Sequence, residues 1–218
     1  RINFILLSAA GVITGVFFMA NFSRVLFLVS AGIGVFITAS LLVPQIGYRF
    51  ISDLIQQLPI HQTSSYRQVW NGGIDAFKTS PWVGIGPDNY RVLCSTISAN
   101  QTNVSCHTHP HNYYIQLAAE TGLIGLILGI AMVVSIVWTC FRSNLANRSN
   151  VLAATCFVVP FGFFFPIQST ADFFGQWNNT FMWSAIGFSL AVTHQTEKYK
   201  VKRFESGSAS SVRQMLIS

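Results

Sequence analysis

The stretch LAAETGLIGLILGIAMVVSIVWTCF, residues 117–141, decides the fold of this chain. Its 25 residues include one charged side chain, Glu120, and are enough helix to cross the hydrocarbon core of a bilayer. Since lipid offers no partners for unpaired backbone groups, we expect a transmembrane helix here. Of all 218 residues, 51% are hydrophobic and 9% are charged, against roughly 25% charged in soluble domains. This composition excludes intrinsic disorder and makes a soluble enzyme improbable.

Further apolar segments extend outward from this stretch in both directions. They cover residues 2–20, 25–44, 151–167 and 179–193. The sequence therefore predicts an all-α, polytopic membrane helix bundle with about five transmembrane helices. In residues 151–167, Pro160 and Pro166 leave open a broken or partly re-entrant helix instead of a full span.

The distribution of charge predicts the orientation of the bundle. The connection 141–150 carries Arg142 and Arg148 and no acidic residue, and the tail 195–218 carries five basic residues against two acidic ones. Because positive loops stay in the cytoplasm, the long loop 45–112 is predicted to be periplasmic. We thus expect a membrane domain over residues 1–194 and a basic, flexible cytoplasmic tail over 195–218. The net charge of +6 is mostly a signal of topology and gives little support for nucleic-acid binding.

The chain begins at Arg1 and runs directly into an apolar segment. We therefore expect it to be the C-terminal part of a longer protein.

Short amphipathic helices are expected inside the periplasmic loop. In residues 64–81, Tyr66, Trp70, Ile74 and Phe77 fall at helical spacing on one side. Such a helix would lie along the membrane surface with Arg67 near the lipid headgroups, either as an interfacial anchor or as a functional group. The glycines and prolines of PWVGIGP, residues 81–87, then predict a tight turn.

Cysteines and histidines concentrate in the same loop. Cys94 and Cys106 lie twelve positions apart, so a disulfide is predicted in an oxidising compartment, with two free thiols as the alternative. In CHTHPHN, residues 106–112, the alternating His107, His109 and His111 would point the same way from an extended backbone. That pattern leaves three interpretations open: a metal site, a polar loop with surface histidines, and a catalytic histidine.

A polar stripe precedes the apolar part of the central helix. Asn112 can cap the helix, and Tyr113, Gln116 and Glu120 recur on one face. A carboxylate entering the bilayer is costly, so Glu120 is expected to face protein and to have a function. Asp172, in QSTADFFGQW, is expected at the same periplasmic level.

Taken together, these motifs resemble the O-antigen ligase and O-antigen polymerase superfamily of bacterial inner-membrane glycosyltransferases. The resemblance rests on Ser23-Arg24 at the start of an apolar helix, on Arg67 with Trp70, and on the turn at residues 81–87. Its most specific part is His111-Asn112 followed after nine residues by Gly122. Between them lie Tyr114, Gln116 and Glu120.

The resemblance implies transfer of a glycan from undecaprenyl diphosphate to an acceptor hydroxyl on lipid A–core or another glycan, with inversion and without metal or cofactor. His111 is then the catalytic base, and Arg67 and Arg24 bind the donor diphosphate. Arginine suits this role because it stays protonated and binds phosphate in bidentate fashion. Arg24 fits this set only if a helix is short, broken or re-entrant near residues 21–24. Full spans on both sides of Arg24 would leave it on the cytoplasmic side, where it would be a positive-inside anchor.

The remaining site residues have supporting roles in this hypothesis. They are Asn112, Tyr114, Gln116, Glu120 and Asp172. The expected partners are the lipid-linked glycan, its acceptor and membrane lipids, with no nucleic acid, and the active site would face the periplasm. An O-antigen or exopolysaccharide polymerase and a protein O-oligosaccharyltransferase are alternatives within the superfamily. A membrane transporter or metal-binding protein that uses the histidine cluster is the alternative from another class.

Overall fold

The central apolar stretch forms the longest membrane-compatible helix of the computed structural model, which describes residues 12, 22–57, 61, 64–99, 104–146 and 151–215. Within these ranges the chain forms seven helices and no strand. They are α1 (Phe22–Leu42), α2 (Pro44–Gln57), α3 (Ser65–Thr79), α4 (Tyr90–Ile97), α5 (Tyr113–Ala146), α6 (Val151–Phe163) and α7 (Gln176–Met215). The all-helical class is as the sequence predicts.

Helix α5 is the element that fits a membrane span best. Its portion Tyr113–Ser143 has 31 residues, its most apolar 18 residues have a mean hydropathy of 2.5, and in the described ranges it is the one helix that by itself is long and apolar enough to cross a bilayer. The backbone at Gly122 leaves helical geometry, with φ 68° and ψ −167°. Helix α5 is therefore two helical segments that meet at a kink, and the shorter one carries the polar stripe.

A broken helix pair occupies the second apolar segment. Val29–Leu42 of α1 and Pro44–Ser52 of α2 meet at an angle of 114°, as in a broken span or a re-entrant loop. Proline lacks an N–H and its ring clashes with the preceding turn, which explains a break at Pro44. The rings of Phe36 and Phe50 lie 5.2 Å apart across the bend. The first predicted segment, residues 2–20, falls almost entirely outside the described residues.

Helices α5, α6 and α7 pack against one another around an apolar core. Its buried members are Tyr113, Val133, Phe164, Met182 and Ile186. Helix α6 has 13 residues, so it spans about 20 Å, which is less than the roughly 30 Å of a bilayer core. With one such helix and one bent pair in the described ranges, the predicted five spans are not confirmed.

Helix α7 extends into the segment that the sequence analysis predicts as a flexible tail. It continues past residue 195 to Met215, whereas the flexibility of this segment stays a prediction. Lysine, arginine and glutamate are good helix formers, and no proline interrupts the segment, so the backbone can extend the helix that begins at Gln176.

The later helices of the loop that is predicted to be periplasmic pack against α5, whereas α2, at the start of that loop, packs against α1. Helix α3 packs on α4 and on the first half of α5, around Ala76, Tyr90, Cys94 and Ala119. Cys94 and Cys106 form a disulfide that joins α4 to the segment before the histidines. Burial, with the nearby carboxylates of Asp75 and Glu120, raises the pKa of Tyr90 to about 12. Its neutral hydroxyl donates to the Val69 carbonyl at 3.3 Å and so ties α4 to α3.

Candidate active site

His111 and Thr170 make a reciprocal pair of contacts between the start of α5 and the α6–α7 connection. The Thr170 N–H donates to the His111 carbonyl at 2.9 Å, and the His111 ring Nδ1 lies 3.3 Å from the Thr170 carbonyl. The His111 backbone has φ 53°, in the left-handed region that non-glycine residues seldom adopt. Such conformations cluster at functional sites, and here the pair of contacts holds the imidazole in one place.

This contact fixes which nitrogen of His111 carries the proton. A carbonyl oxygen can only accept, so Nδ1 must be the donor, and neutral imidazole then has its lone pair on Nε2. Nε2 of His111 has no hydrogen-bond partner among the residues that the structure describes. The partly exposed ring therefore presents an open basic nitrogen, as a general base requires.

The other two histidines of the cluster are arranged differently. Nε2 of His109 donates to the same Thr170 carbonyl at 3.3 Å, and its Nδ1 lies 3.0 Å from the Thr108 hydroxyl, so both of its nitrogens are engaged. Burial and the neighbouring His111 ring lower the pKa of His109. His107 is exposed, and its Nε2 lies 3.2 Å from the Ser105 hydroxyl. No cluster of three histidine, cysteine, aspartate or glutamate side chains in the described ranges is arranged to hold a metal ion.

Asn112 caps α5, as the sequence suggests. It is 3% exposed, and its Oδ1 accepts from the N–H groups of Tyr114 and Ile115 at 3.0 and 3.2 Å. Its Nδ2 donates to the Pro166 carbonyl at 2.6 Å. Tyr114 makes a parallel tie, since its hydroxyl donates to the Phe164 carbonyl at 2.5 Å. Both side chains therefore fix the start of α5 against the end of α6.

The turn at residues 81–87 docks into the kink of α5. In a regular helix the N–H groups of Leu123 and Ile124 would donate to the carbonyls of Ala119 and Glu120. Here they donate to the carbonyls of Pro81 and Trp82, at 2.8 and 3.4 Å.

The two carbonyls freed by the kink accept from the turn instead. The N–H groups of Ile85 and Gly86 donate to the carbonyls of Ala119 and Glu120, both at 3.0 Å. A Cβ on Gly122 would lie 2.4 Å from the Trp82 carbonyl, so only glycine allows this approach. Gly122 and the glycines of the turn, Gly84 and Gly86, thus belong to one interlocked backbone contact.

Gln116 links two carboxylates to the α6–α7 connection. Its Nε2 donates to Asp172 Oδ1 at 2.6 Å and to Glu120 Oε2 at 3.3 Å, and its Oε1 accepts from the Phe173 N–H at 2.9 Å. Glu120 is 1% exposed and also accepts from the Tyr90 N–H at 3.1 Å. As predicted, Glu120 faces protein, and this network fixes the backbone next to Thr170.

Arg67 lies on the exposed side of α3. The backbone carbonyl of the next residue, Gln68, accepts from the Ser105 N–H at 3.2 Å. The Ser105 hydroxyl contacts Nε2 of His107, and the centre of the His107 ring lies 5.7 Å from that of the His111 ring. A continuous set of contacts therefore connects the residue after Arg67 to His111. Arg24 is in the first turn of α1, but its side chain lies outside what the structure describes, and the bend comes at the other end of that helix.

Sequence reasoning missed Thr170 and the role of the Phe173 N–H. Both act through backbone groups, which every residue type carries, so no sequence motif marks them. The only available signal was their position next to Asp172.

A family model described as O-antigen ligase matches residues 1–130, which is more than half of the chain. The match includes Arg24, Arg67, His111 and Glu120 and ends before Thr170 and Asp172. No curated protein and no solved structure matches the chain.

Proposed function

The chain belongs to the O-antigen ligase family, and from this premise we propose that it transfers a glycan from undecaprenyl diphosphate to an acceptor hydroxyl, with lipid A–core as the acceptor. Proteins of this family are membrane glycosyltransferases of the ligase and polymerase type. The proposal adds the donor, the acceptor and the roles of individual residues. It also sets the reaction at the periplasmic side of the bacterial inner membrane, in a multi-pass protein.

One observation carries the proposed chemistry: the Thr170 carbonyl holds Nδ1 of His111 as a donor and leaves Nε2 open. In the proposed step, Nε2 takes the proton of the acceptor hydroxyl while its oxygen attacks the anomeric carbon. The bond between that carbon and the diphosphate oxygen breaks, and undecaprenyl diphosphate leaves. Attack opposite the leaving group inverts the anomeric centre. A positioned base of this kind contributes about 10² to 10⁴ in rate.

Arg67 is proposed to stabilise the charge that develops on the leaving diphosphate. A guanidinium stays protonated at neutral pH and binds phosphate oxygens through two parallel hydrogen bonds. Its place on the exposed side of α3, one residue before the backbone contact with Ser105, supports this assignment. Arg24 is kept as a second diphosphate ligand on the resemblance alone.

The test measures glycan transfer in membranes, with lipid-linked glycan as donor and lipid A–core as acceptor. We expect His111→Ala to lower the rate about 10²-fold or more, at normal protein level and membrane insertion. His107→Ala is the matched control, since that exposed histidine belongs to the same loop and should keep nearly full activity. Unimpaired transfer by His111→Ala would reject the base assignment.

Arg67 needs a separate pair of variants. Both Arg67→Ala and Arg67→Lys should fail if bidentate geometry matters more than charge. Arg91→Ala is the control, because this exposed arginine pairs with Asp88 outside the proposed site. Full activity of the lysine variant would reduce Arg67 to an interfacial anchor.

Ligase and polymerase are separated by the lipid-linked material that accumulates in a deletion strain. Complete long chains on the carrier support the ligase, whereas single repeat units mean that the protein is the polymerase.

A further inference from the structure

An apolar crevice lies where α3 meets the two segments of α5. Its volume is about 310 Å³. Each of the three segments contributes a pair of side chains to its walls, namely Ile74 and Phe77, Tyr114 and Ile115, and Leu126 and Ile130. Among the described residues that line the crevice no side chain is charged, and the one hydroxyl, that of Tyr114, donates to the Phe164 carbonyl. The crevice therefore offers hydrocarbon surface to a ligand.

The kink of α5 creates this crevice. Leu117 and Gly129 are twelve residues apart, which in a straight helix would separate their Cα atoms by about 18 Å. Here a Cβ on Gly129 would lie 2.7 Å from Leu117 Cδ1, so the segment before Gly122 folds back beside the segment after it. Because α3 packs against α5, it forms the third wall of the space between the two segments.

The crevice begins beside the proposed base. Tyr114 and Ile115 belong to the first turn of α5, which directly follows His111 and Asn112. A Cβ on Gly73 would lie 3.1 Å from Pro110 Cβ, so α3 contacts the residue that precedes His111. One end of the crevice therefore lies within about one helical turn of His111.

Arg67 and Ile74 lie on the same face of α3. Seven residues make nearly two helical turns, so the two side chains differ in direction by about 20° and their Cα atoms lie about 10 Å apart along the axis. Both side chains are exposed. A molecule whose anionic head binds Arg67 can therefore lay an apolar tail past Ile74 and into the crevice.

The crevice is open along one side. Ile74 and Ile130 are 41% and 40% exposed. Ile130 lies in the apolar part of α5, where a membrane span is surrounded by hydrocarbon. A chain longer than the crevice can therefore continue into the bilayer without crossing a polar surface.

We infer that this crevice binds the part of the donor's polyprenyl chain nearest the diphosphate, with the diphosphate at Arg67 and the rest of the chain in the bilayer. The inference rests on the proposed function, which supplies the undecaprenyl donor. It adds that the protein recognises the lipid carrier by its hydrocarbon chain as well as by its diphosphate. Since lipid tails are as apolar as the crevice, the chain gains from packing and not from leaving water.

The experiment measures transfer by the purified complete protein in lipid vesicles, with two donors that carry the same glycan diphosphate. One donor has the undecaprenyl chain, and the other has an isopentenyl chain, which is too short to reach from Arg67 to Ile74. Ile130→Trp fills the crevice from its open side. We expect the KM for the undecaprenyl donor to rise about tenfold, the effect of about ten lost atom contacts. The KM values for the isopentenyl donor and for the acceptor should stay unchanged.

Leu128→Trp is the matched control. Leu128 is also exposed on α5, but it does not line the crevice, so its replacement should leave the KM for both donors unchanged.

A second measurement needs no transfer and also covers a tryptophan variant that fails to fold. Ile130→p-benzoylphenylalanine should crosslink, on illumination, to a donor that is labelled in its undecaprenyl chain. Excess unlabelled undecaprenyl diphosphate should compete, because it occupies the same crevice. Leu128→p-benzoylphenylalanine should give weak labelling that the competitor does not reduce.

The inference is overturned if Ile130→Trp leaves the KM for the undecaprenyl donor unchanged, if Leu128→Trp raises it equally, or if the isopentenyl donor is affected as much. A rise confined to the acceptor KM would assign the crevice to the acceptor lipid. Crosslinks at position 130 without competition would assign it to bulk lipid, and both results reject the inference. The proposed function fails separately, if His111→Ala transfers normally.

Discussion

Replacing Gly122 by alanine tests the interlocked contact between the turn at residues 81–87 and α5. At φ 68° an alanine is strained, and its Cβ would lie 2.4 Å from the carbonyl carbon and oxygen of Trp82. The variant must either push the turn away or straighten α5 into a regular helix. In both cases the two backbones separate.

The size of the effect follows from the hydrogen bonds that are lost. A straightened α5 regains its internal bonds, because Leu123 and Ile124 can donate to Ala119 and Glu120. Four backbone groups of the turn lose their hydrogen-bond partners, namely the carbonyls of Pro81 and Trp82 and the N–H groups of Ile85 and Gly86. A buried polar group left unpaired costs about 1–3 kcal/mol. Trp82 is 67% exposed, so water can satisfy part of the turn. We therefore expect the free energy of unfolding to fall by about 3–5 kcal/mol.

Unfolding can be followed with a thiol-reactive fluorophore during titration with SDS in mixed micelles. Cys140 and Cys156 are free and buried, so they react when the helices separate. Gly187→Ala is the control, because nothing lies within 4 Å of the added Cβ. Alanine stabilises a helix by about 1 kcal/mol relative to glycine, so this variant should not lose stability.

Gly84→Ala approaches the same contact from the turn, where its Cβ would lie 2.3 Å from the Glu120 carbonyl carbon. The Gly84→Ala/Gly122→Ala double variant should lose little more stability than either single one, since both break one contact. A Gly122→Ala protein with wild-type stability and transfer would refute the reasoning.

Three further outcomes follow from single contacts. Glu120→Gln should lower the free energy of unfolding by about 1–3 kcal/mol, because the Tyr90 N–H and Gln116 donate to different carboxylate oxygens and the amide replaces one of these with a donor; an unchanged SDS midpoint would contradict this. Mass spectrometry without reduction should find Cys94 linked to Cys106, whereas free thiols at both positions would end the assignment. Acid should destabilise the protein through His109: its pKa is lowered in the fold, so the unfolded chain takes up a proton first as pH falls below about 6.5. His109→Asn should remove that part of the pH dependence in thermal unfolding, and an unaltered pH profile would argue against it.

Hydropathy predicted the helical class but not the number of spans. Residues 117–141 are helical as predicted, because a long apolar run has few alternatives to a helix in lipid. Residues 25–44 were predicted as a span, and residues 151–167 as a span or a broken helix, whereas the structure has a bend of 114° after Leu42 and a 13-residue α6. Composition measures how apolar a segment is, whereas its length and direction depend on where proline and packing end the helix.

The sequence by itself determined the helical architecture, the cap at Asn112, the inward-facing Glu120 and the histidine that stands before the central helix. These follow from local chemistry: an asparagine at a helix start and a carboxylate in an apolar run have few stable environments. Only the tertiary structure showed which of the three histidines keeps a ring nitrogen without a hydrogen-bond partner among the described residues. It also explained why positions 84 and 122 need glycine. Both answers depend on backbone groups of distant segments, the Thr170 carbonyl and the turn at residues 81–87, and backbone groups have the same chemistry at almost every position of a sequence.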